Sequence, residues 1–294
     1  DGIAVAISLY LIQQKIQHGP LRLIFTVDEE TNMTGALSLS ADHVKDAKYV
    51  INCDSESIHV ICVASAGSCH MEFTRDLHRC APTGDTALTV RAHALAGGHS
   101  GEVINEGRGN AIKAVADVLY RLSEGGVEYA LADYKGGVAA NAIPSDASAV
   151  VVVAAKDIDR VKATVAAAEK DFHLVYGETD PNAVFEVTPT DLPKSVFSAE
   201  DTTSIVDVVN LLHCGVFAMD RRLPRLPALS ASLGTIETRE DVLAFQYFPR
   251  SSSDARLQAL VRVMPIMAKS TGTKVHIEKP FPAWTESKNS KLQA

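Results

Sequence analysis

Two apolar runs in this chain each end in a cluster of carboxylates, and that pattern restricts the fold more than any other feature. Leu21 to Val27, apolar but for one Arg, runs into Asp28-Glu29-Glu30-Thr31. Lys48-Tyr49-Val50-Ile51 runs into Asn52-Cys53-Asp54-Ser55-Glu56. Both runs read as buried strands, and open α/β sheets place their sites at the C-terminal ends of strands. Neighbouring glutamates leave an extended strand end in opposite directions. One can then hold a metal while the other faces a water, which is what a metal-dependent hydrolase needs. The same three carboxylates also fit a solvated helix N-terminus stabilised by the dipole.

A length of 294 residues suggests two domains. With 46% hydrophobic and 22% charged residues the chain is of ordinary globular composition. A net charge of -8 without a basic stripe argues against nucleic acid as a partner. No apolar run reaches the ~18 residues that a membrane span needs. The start, Asp1-Gly2-Ile3-Ala4, has neither an initiator Met nor the charged region of a signal peptide. An apolar helix over Ile3 to Ile16 begins at once, so the chain is expected to begin inside a domain. The five cysteines form no CxxC pair, and reduced cytosolic thiols are expected. Cys53 reads as a small packed side chain in a strand end.

Over the first 65 or so residues, helix and strand alternate as in βαβ units with a parallel sheet. The helices are Ile3 to Ile16 and one opening at Gly35 to Leu39. The strands are Leu21 to Val27, Tyr49 to Cys53 and Ile58 to Ala64. From Ser68 the texture changes. Cys69 to Asp76 and Thr86 to Leu95 alternate in polarity as strands do. Asn110 to Leu122 carries apolar residues at helical spacing. Ala147 to Ala155 reads as a strand and Ile158 to Phe172 as a helix, followed later by a strand at Leu243 to Phe248 and a helix at Leu257 to Ala268. This layout fits an α+β domain of ferredoxin-like style. The last segment, Phe281 to Ala294, has no element of its own, and no internal repeat is visible.

Three further residues stand in special settings. His99 lies within Gly97-Gly98-His99-Ser100-Gly101, where the glycines permit positive φ and close approach. It reads either as an aimed functional His or as a loop residue. Asn141 precedes Ala142-Ile143-Pro144 and serves either the turn or a substrate. Arg250 ends a strand ahead of Ser251-Ser252-Ser253-Asp254, which reads as a helix cap. Its guanidinium is either a surface charge or a fork for a carboxylate. Asn110, after Gly107-Arg108-Gly109, reads as a cap. The remaining histidines, such as His18, His43 and His213, read as structural.

Taken in order, DGIAVA, HGPL, TVDEETNMTGA, INCDSE, GGHSGE, GRGNA, NAIP, SLGTIE, RSSSDA and PFPAW resemble the aminoacyl-histidine dipeptidases. These Xaa-His dipeptidases, bacterial carnosinase-like enzymes, belong to the co-catalytic zinc aminoacylases and carboxypeptidases. The resemblance covers essentially the whole chain. It implies an α/β catalytic domain, present in part as a parallel-rich sheet with helices, carrying an inserted α+β ferredoxin-like lid/dimerisation domain. The expected boundaries are residues 1–67, 68–279 and 280–294. It implies two zinc ions, with Glu30 a ligand of one and Asp54 of the other. It implies Glu29 as the general base, and His99 as oxyanion stabiliser, in many relatives supplied by the neighbouring subunit. Asn141 and Arg250 would bind substrate, Arg250 by its carboxylate. A cytoplasmic homodimer joined through the lid and acting on small dipeptides is expected, with no nucleic-acid or membrane partner. The family's bridging Asp would precede Asp1. Its upstream His-x-Asp strand and its late His are also not in the sequence, so the chain is expected to be an inactive fragment. Ser232 stands where the family often has Asn. Another dipeptidase or aminoacylase of the clan, or a non-catalytic dimerisation or scaffold module, are the alternatives.

Overall fold

The computed structural model describes residues 2–29, 33–54, 59–285 and 291–292. Its contacts separate two units, Asp1–Cys62 and Val63–Ala294.

In the first unit, α1 (Gly2–Gln13) and the short α2 (Thr34–Leu37) form where helices are expected, and a 3-10 turn follows at Ala41–His43. The expected strands do not form. Leu21 to Val27, Tyr49 to Cys53 and residues 59–62 have no ladder partner among the described residues. A strand exists only where a neighbour takes its N–H and C=O groups, and none of these runs has one. Their apolar side chains are accordingly exposed, Val27 by 69% and Ile51 by 70%. The parallel-rich sheet expected here is therefore not built among the described residues, although the chain as a whole is mixed α/β. Cys53, expected to pack in a strand end, is exposed for the same reason. Arg22 ties the extended run to the turn region by bonds to Asp46 Oδ1 at 2.7 Å and the His43 carbonyl at 2.5 Å.

The second unit is built from two ferredoxin-like modules, one nested inside the other. The inner module runs β2 (Thr86–His93), α3 (Ala111–Glu124), β3 (Tyr129–Gly136), β4 (Ala147–Val153), α4 (Ile158–Tyr176), β5 (Val184–Thr190). The outer module begins before it with β1 (Met71–Asp76). It resumes after it with α5 (Ala199–Leu211), β6 (Pro227–Arg239), β7 (Val242–Ser251), α6 (Asp254–Ser270) and β8 (Lys274–Ile277). Each is a β-α-β-β-α-β motif. Together they make one antiparallel sheet in the order β8-β1-β7-β6-β3-β4-β2-β5. Within each half the second strand stands at the centre and the fourth at the rim. The repeat invisible in the sequence is thus present in the topology.

The modules meet edge to edge where β6 pairs with β3 at Ile236 and Gly136. The ladder here is sparse. Thr238 supplements it, its hydroxyl accepting from the Tyr134 N–H at 3.0 Å and donating to the Tyr134 carbonyl at 3.3 Å. Glycines allow the approach. A Cβ on Gly137, at φ 72°, would lie 1.9 Å from the Gly234 carbonyl oxygen, and one on Gly234 would lie 2.3 Å from the Ala140 oxygen.

The helices cover one face of the sheet and share a single core. Its largest side chains include Tyr134, Tyr247, Phe73 and Phe245, and the last two stack at 5.1 Å. Lys113 of α3 turns its ammonium onto the end of α5, donating to the carbonyls of Val209, Asn210 and Leu212 at 2.7, 2.6 and 2.8 Å. These are the carbonyls that a helix end leaves without partners. Asn110 caps α3, as expected, accepting from Lys113 N at 3.2 Å. The entry and exit of the unit run side by side: Ser68 and Phe281 exchange backbone bonds of 3.1 and 2.8 Å.

A buried ion pair closes the outer module across the inserted one. Arg75 Nε donates to Asp201 Oδ1 at 2.7 Å. Burial raises the Asp201 carboxyl, but bonds from the His78 N–H, the Ser198 hydroxyl and Arg75 outweigh it and hold the pKa below the usual range. Asp201 therefore stabilises the fold fully above its unfolded pKa of about 4, and that stabilisation is lost as pH falls through the lowered folded value. Asp201→Asn should flatten the fall of Tm below about pH 4. An unchanged acid slope in the variant would refute the assignment. At the junction, Gly234→Ala should cost about 3 kcal/mol by urea denaturation. A loss within the error of the measurement would show that the backbones can part without penalty.

Candidate functional site

The glycine loop and the end of β7 bring His99 and Arg250 together. His99 closes a two-residue strand, Gly98–His99, that pairs with Ala142–Ile143. Gly97 and Gly98 take φ of 60° and 122°, conformations an L side chain resists. A Cβ on Gly98 would also lie 2.7 Å from Arg108 Nη1. Arg108 holds the loop from within, donating to the Gly97 carbonyl and, at 2.6 Å, to Glu106. On the other side, the Ser100 N–H and hydroxyl each donate to the Asn141 carbonyl at 2.8 Å. The backbone of Asn141 therefore fixes the loop, while its exposed side chain makes no hydrogen bond among the described residues. Of the two alternatives read for Asn141, the main chain meets the first by serving the turn, and the amide stays exposed.

Arg250 lies opposite Ser230 on β6 and Ser68 on the two-residue entry strand, Gly67–Ser68. Its Cζ sits 4.6 Å from the centre of the Phe248 ring. Its Nε is buried and has no partner, and it forms no ion pair among the described residues. Burial pushes the guanidinium pKa below its usual value. An added Cβ at Gly101 would lie 2.9 Å from His99 Cε1 and 3.2 Å from Arg250 Cζ, so the two side chains flank one glycine. His99 comes from the inner module and Arg250 from the outer. Both belong to the second unit of the same chain. Phe248 and Arg108 were not anticipated as site residues. The Gly-Arg-Gly frame around Arg108 was visible in the sequence, but only a structure shows that it braces the loop before His99.

In the first unit, Asp28 takes φ 65° and accepts from the Thr34 hydroxyl at 2.5 Å, while Gly35 N donates to the Val27 carbonyl at 3.1 Å. The chain thus turns back on itself around Glu29, whose side chain is exposed. Glu30 lies outside the described residues. Asp54 is exposed, and its N–H donates to Asn52 Oδ1 at 3.0 Å in a local turn. No group of three or more His, Cys, Asp or Glu side chains among the described residues is placed to hold a metal ion. The described residues therefore do not fit a complete zinc site. No described helix is long and apolar enough to cross a membrane.

Residues 92–180, most of the inner module, match the peptidase dimerisation domain family. Over 99% of its length the chain is 28% identical to the cytosol non-specific dipeptidase of Escherichia coli (strain K12), of which it covers 60%. The crystal structure of aminoacylhistidine dipeptidase from Vibrio alginolyticus superposes with a TM-score of 0.86 at 26% identity, over 99% of this chain and 60% of that one. The chain thus spans about three-fifths of the length of both relatives. Part of it thus matches a peptidase dimerisation domain, and over nearly its whole length it is similar to these dipeptidases.

Proposed function

We propose that this chain forms the substrate-gripping part, with some of the catalytic residues, of a cytoplasmic dipeptidase that cleaves Xaa-His dipeptides. The observation that carries the reading is the pairing of His99 with a half-buried Arg250 whose Nε lacks a partner. A guanidinium desolvated without a carboxylate is costly unless a ligand supplies one. A free C-terminal carboxylate is such a ligand, and it distinguishes a dipeptide from an internal peptide segment. The names of both relatives agree with a dipeptide substrate, and that of the Vibrio protein with a C-terminal histidine.

In this reading Arg250, with the Asn141 amide, holds the carboxylate, and His99 donates to the carbonyl oxygen as charge develops there. Glu29 takes a proton from the attacking water and returns it to the leaving amine. A C–O bond forms, the C–N bond breaks, and the proton count closes. The resemblance assigns Glu30 and Asp54 to two zinc ions. Glu30 lies outside the described residues, and the described ones gather no three-donor group. Homodimer formation is part of the proposal, supported by the dimerisation domain. The inner edge of that module is already taken by β6, so a second copy would use another surface.

Steady-state hydrolysis of β-alanyl-histidine tests the roles. Arg250→Gln should raise KM roughly 10- to 100-fold, and His99→Ala should lower kcat more than it raises KM. The reverse split would exchange their roles. Glu29→Gln should lower kcat by a factor of about 10² to 10⁴ with KM little changed. Substantial activity in that variant would remove Glu29 as the base.

A further inference from the structure

His70 occupies the extended stretch between the entry strand and β1, and nothing in its sequence setting marks it out. The register puts it beside the carboxylate fork. Ser68 faces Arg250 and Met71 faces Tyr247, so His70 stands opposite Phe248 on the same sheet surface as Arg250. The His70 and Phe248 rings lie 6.1 Å apart. Glu278, just beyond β8, donates its N–H to the His70 carbonyl at 3.0 Å and approaches His70 Nδ1 with Oε1 at 2.7 Å. A carboxylate oxygen only accepts, so Nδ1 carries the proton, and in the neutral ring Nε2 presents a lone pair. That Nε2 is buried and has no partner among the described residues. The surface therefore reads, in order, a carboxylate that orients an imidazole, an unfilled acceptor, an aromatic face, and an unfilled guanidinium donor.

We infer that His70, oriented by Glu278, is a specificity-determining residue that accepts a hydrogen bond from an N–H on the side chain of the residue whose carboxylate Arg250 holds. The inference rests on the reading of Arg250 given above. The chemistry names the ligand class: an amino-acid residue with a free carboxylate, a flat body to lie against Phe248, and a ring or chain N–H beyond it. Buried polar atoms without partners are rare in folded proteins. Two of them beside one aromatic ring, one accepting and one donating, match two polar groups of such a ligand. An apolar side chain of the same shape would leave Nε2 unfilled, and sites built around a polar group reject analogues that lack it.

Equilibrium binding of free L-histidine and free L-phenylalanine, measured by calorimetry on the full chain, separates this from turnover. The unmodified protein should prefer histidine. His70→Phe should weaken histidine roughly tenfold and leave phenylalanine unchanged. Glu278→Ala should erode the preference, and Glu278→Gln, whose amide oxygen still accepts from Nδ1, should retain it. This pair gives the answer even if His70→Phe does not fold. Equal weakening of both ligands, or of neither, would overturn the role of His70. If Arg250→Gln then lost both ligands, the carboxylate reading would stand alone. Failure of both amino acids to bind the unmodified protein would overturn both readings, and tighter binding of phenylalanine than of histidine would overturn the role of His70 alone.

Discussion

The close passage of backbone at Gly136, Gly137 and Gly234 is the constraint on which the rest of the second unit depends. At Gly137 and Gly234 it lets the end of β3 and β6 approach without side chains between them, and so turns two sheets into one, while Gly136 makes room for Ala147 of β4. The consequences can be followed along the chain. Beyond Gly137 the backbone passes Gly234 at Ala140, and the next carbonyl, of Asn141, takes both bonds from Ser100. That anchors the loop whose His99 flanks Gly101 across from Arg250. A residue of one module meets a residue of the other because two glycines, Gly137 and Gly234, omit a methyl group.

Arg75, buried, and Arg250, half-buried, show how the same side chain serves opposite ends. Arg75 has its needs met inside the protein, by Asp201, Glu200 and the Gly272 carbonyl. Removing either partner of such a pair leaves a charge stranded, so the pair secures the fold. Arg250 is also held out of water, but against an aromatic face and without an acid beside it. Its desolvation is not offset within the described residues, which makes it available to an incoming anion.

Much of the inner module was legible because its strands alternate and its helices keep helical spacing. Thr86–His93, Ala111–Glu124 and Ala147–Val153 fall close to their expected bounds. Half of the outer module was not. Ala199–Leu211 is rich in Thr, Val and Ile, which weaken helix propensity. It forms because Ile205, Val208 and Val209 enter the core and Ser198 caps it, accepting from Asp201 N at 3.1 Å. The Ser-x-x-Asp spacing was the available signal. Pro227–Arg239 hides its strand among small residues that suit the crowded junction. In the first unit Leu21 to Val27 has the composition of a strand but, among the described residues, none of the neighbours that define one. His99, Asn141 and Arg250 were legible from their glycine, proline and serine surroundings. His70 was not, because its meaning comes from Glu278 and Phe248, which are remote in sequence.

The nesting of one module inside the other also orders events in time. The inner module is a continuous stretch, so a nascent chain holds all of it before most of the outer one exists. β1, made first, must wait for β7 and β8 before either of its edges is covered. The Arg75–Asp201 bond closes a loop of 126 residues that is cheap only when the enclosed module has already folded and drawn its ends together. Until then Met71 and Phe73 sit on an open strand, the kind of edge that recruits other chains. Synthesis of this protein thus has a vulnerable interval that begins with β1, shrinks when β7 emerges and ends with β8.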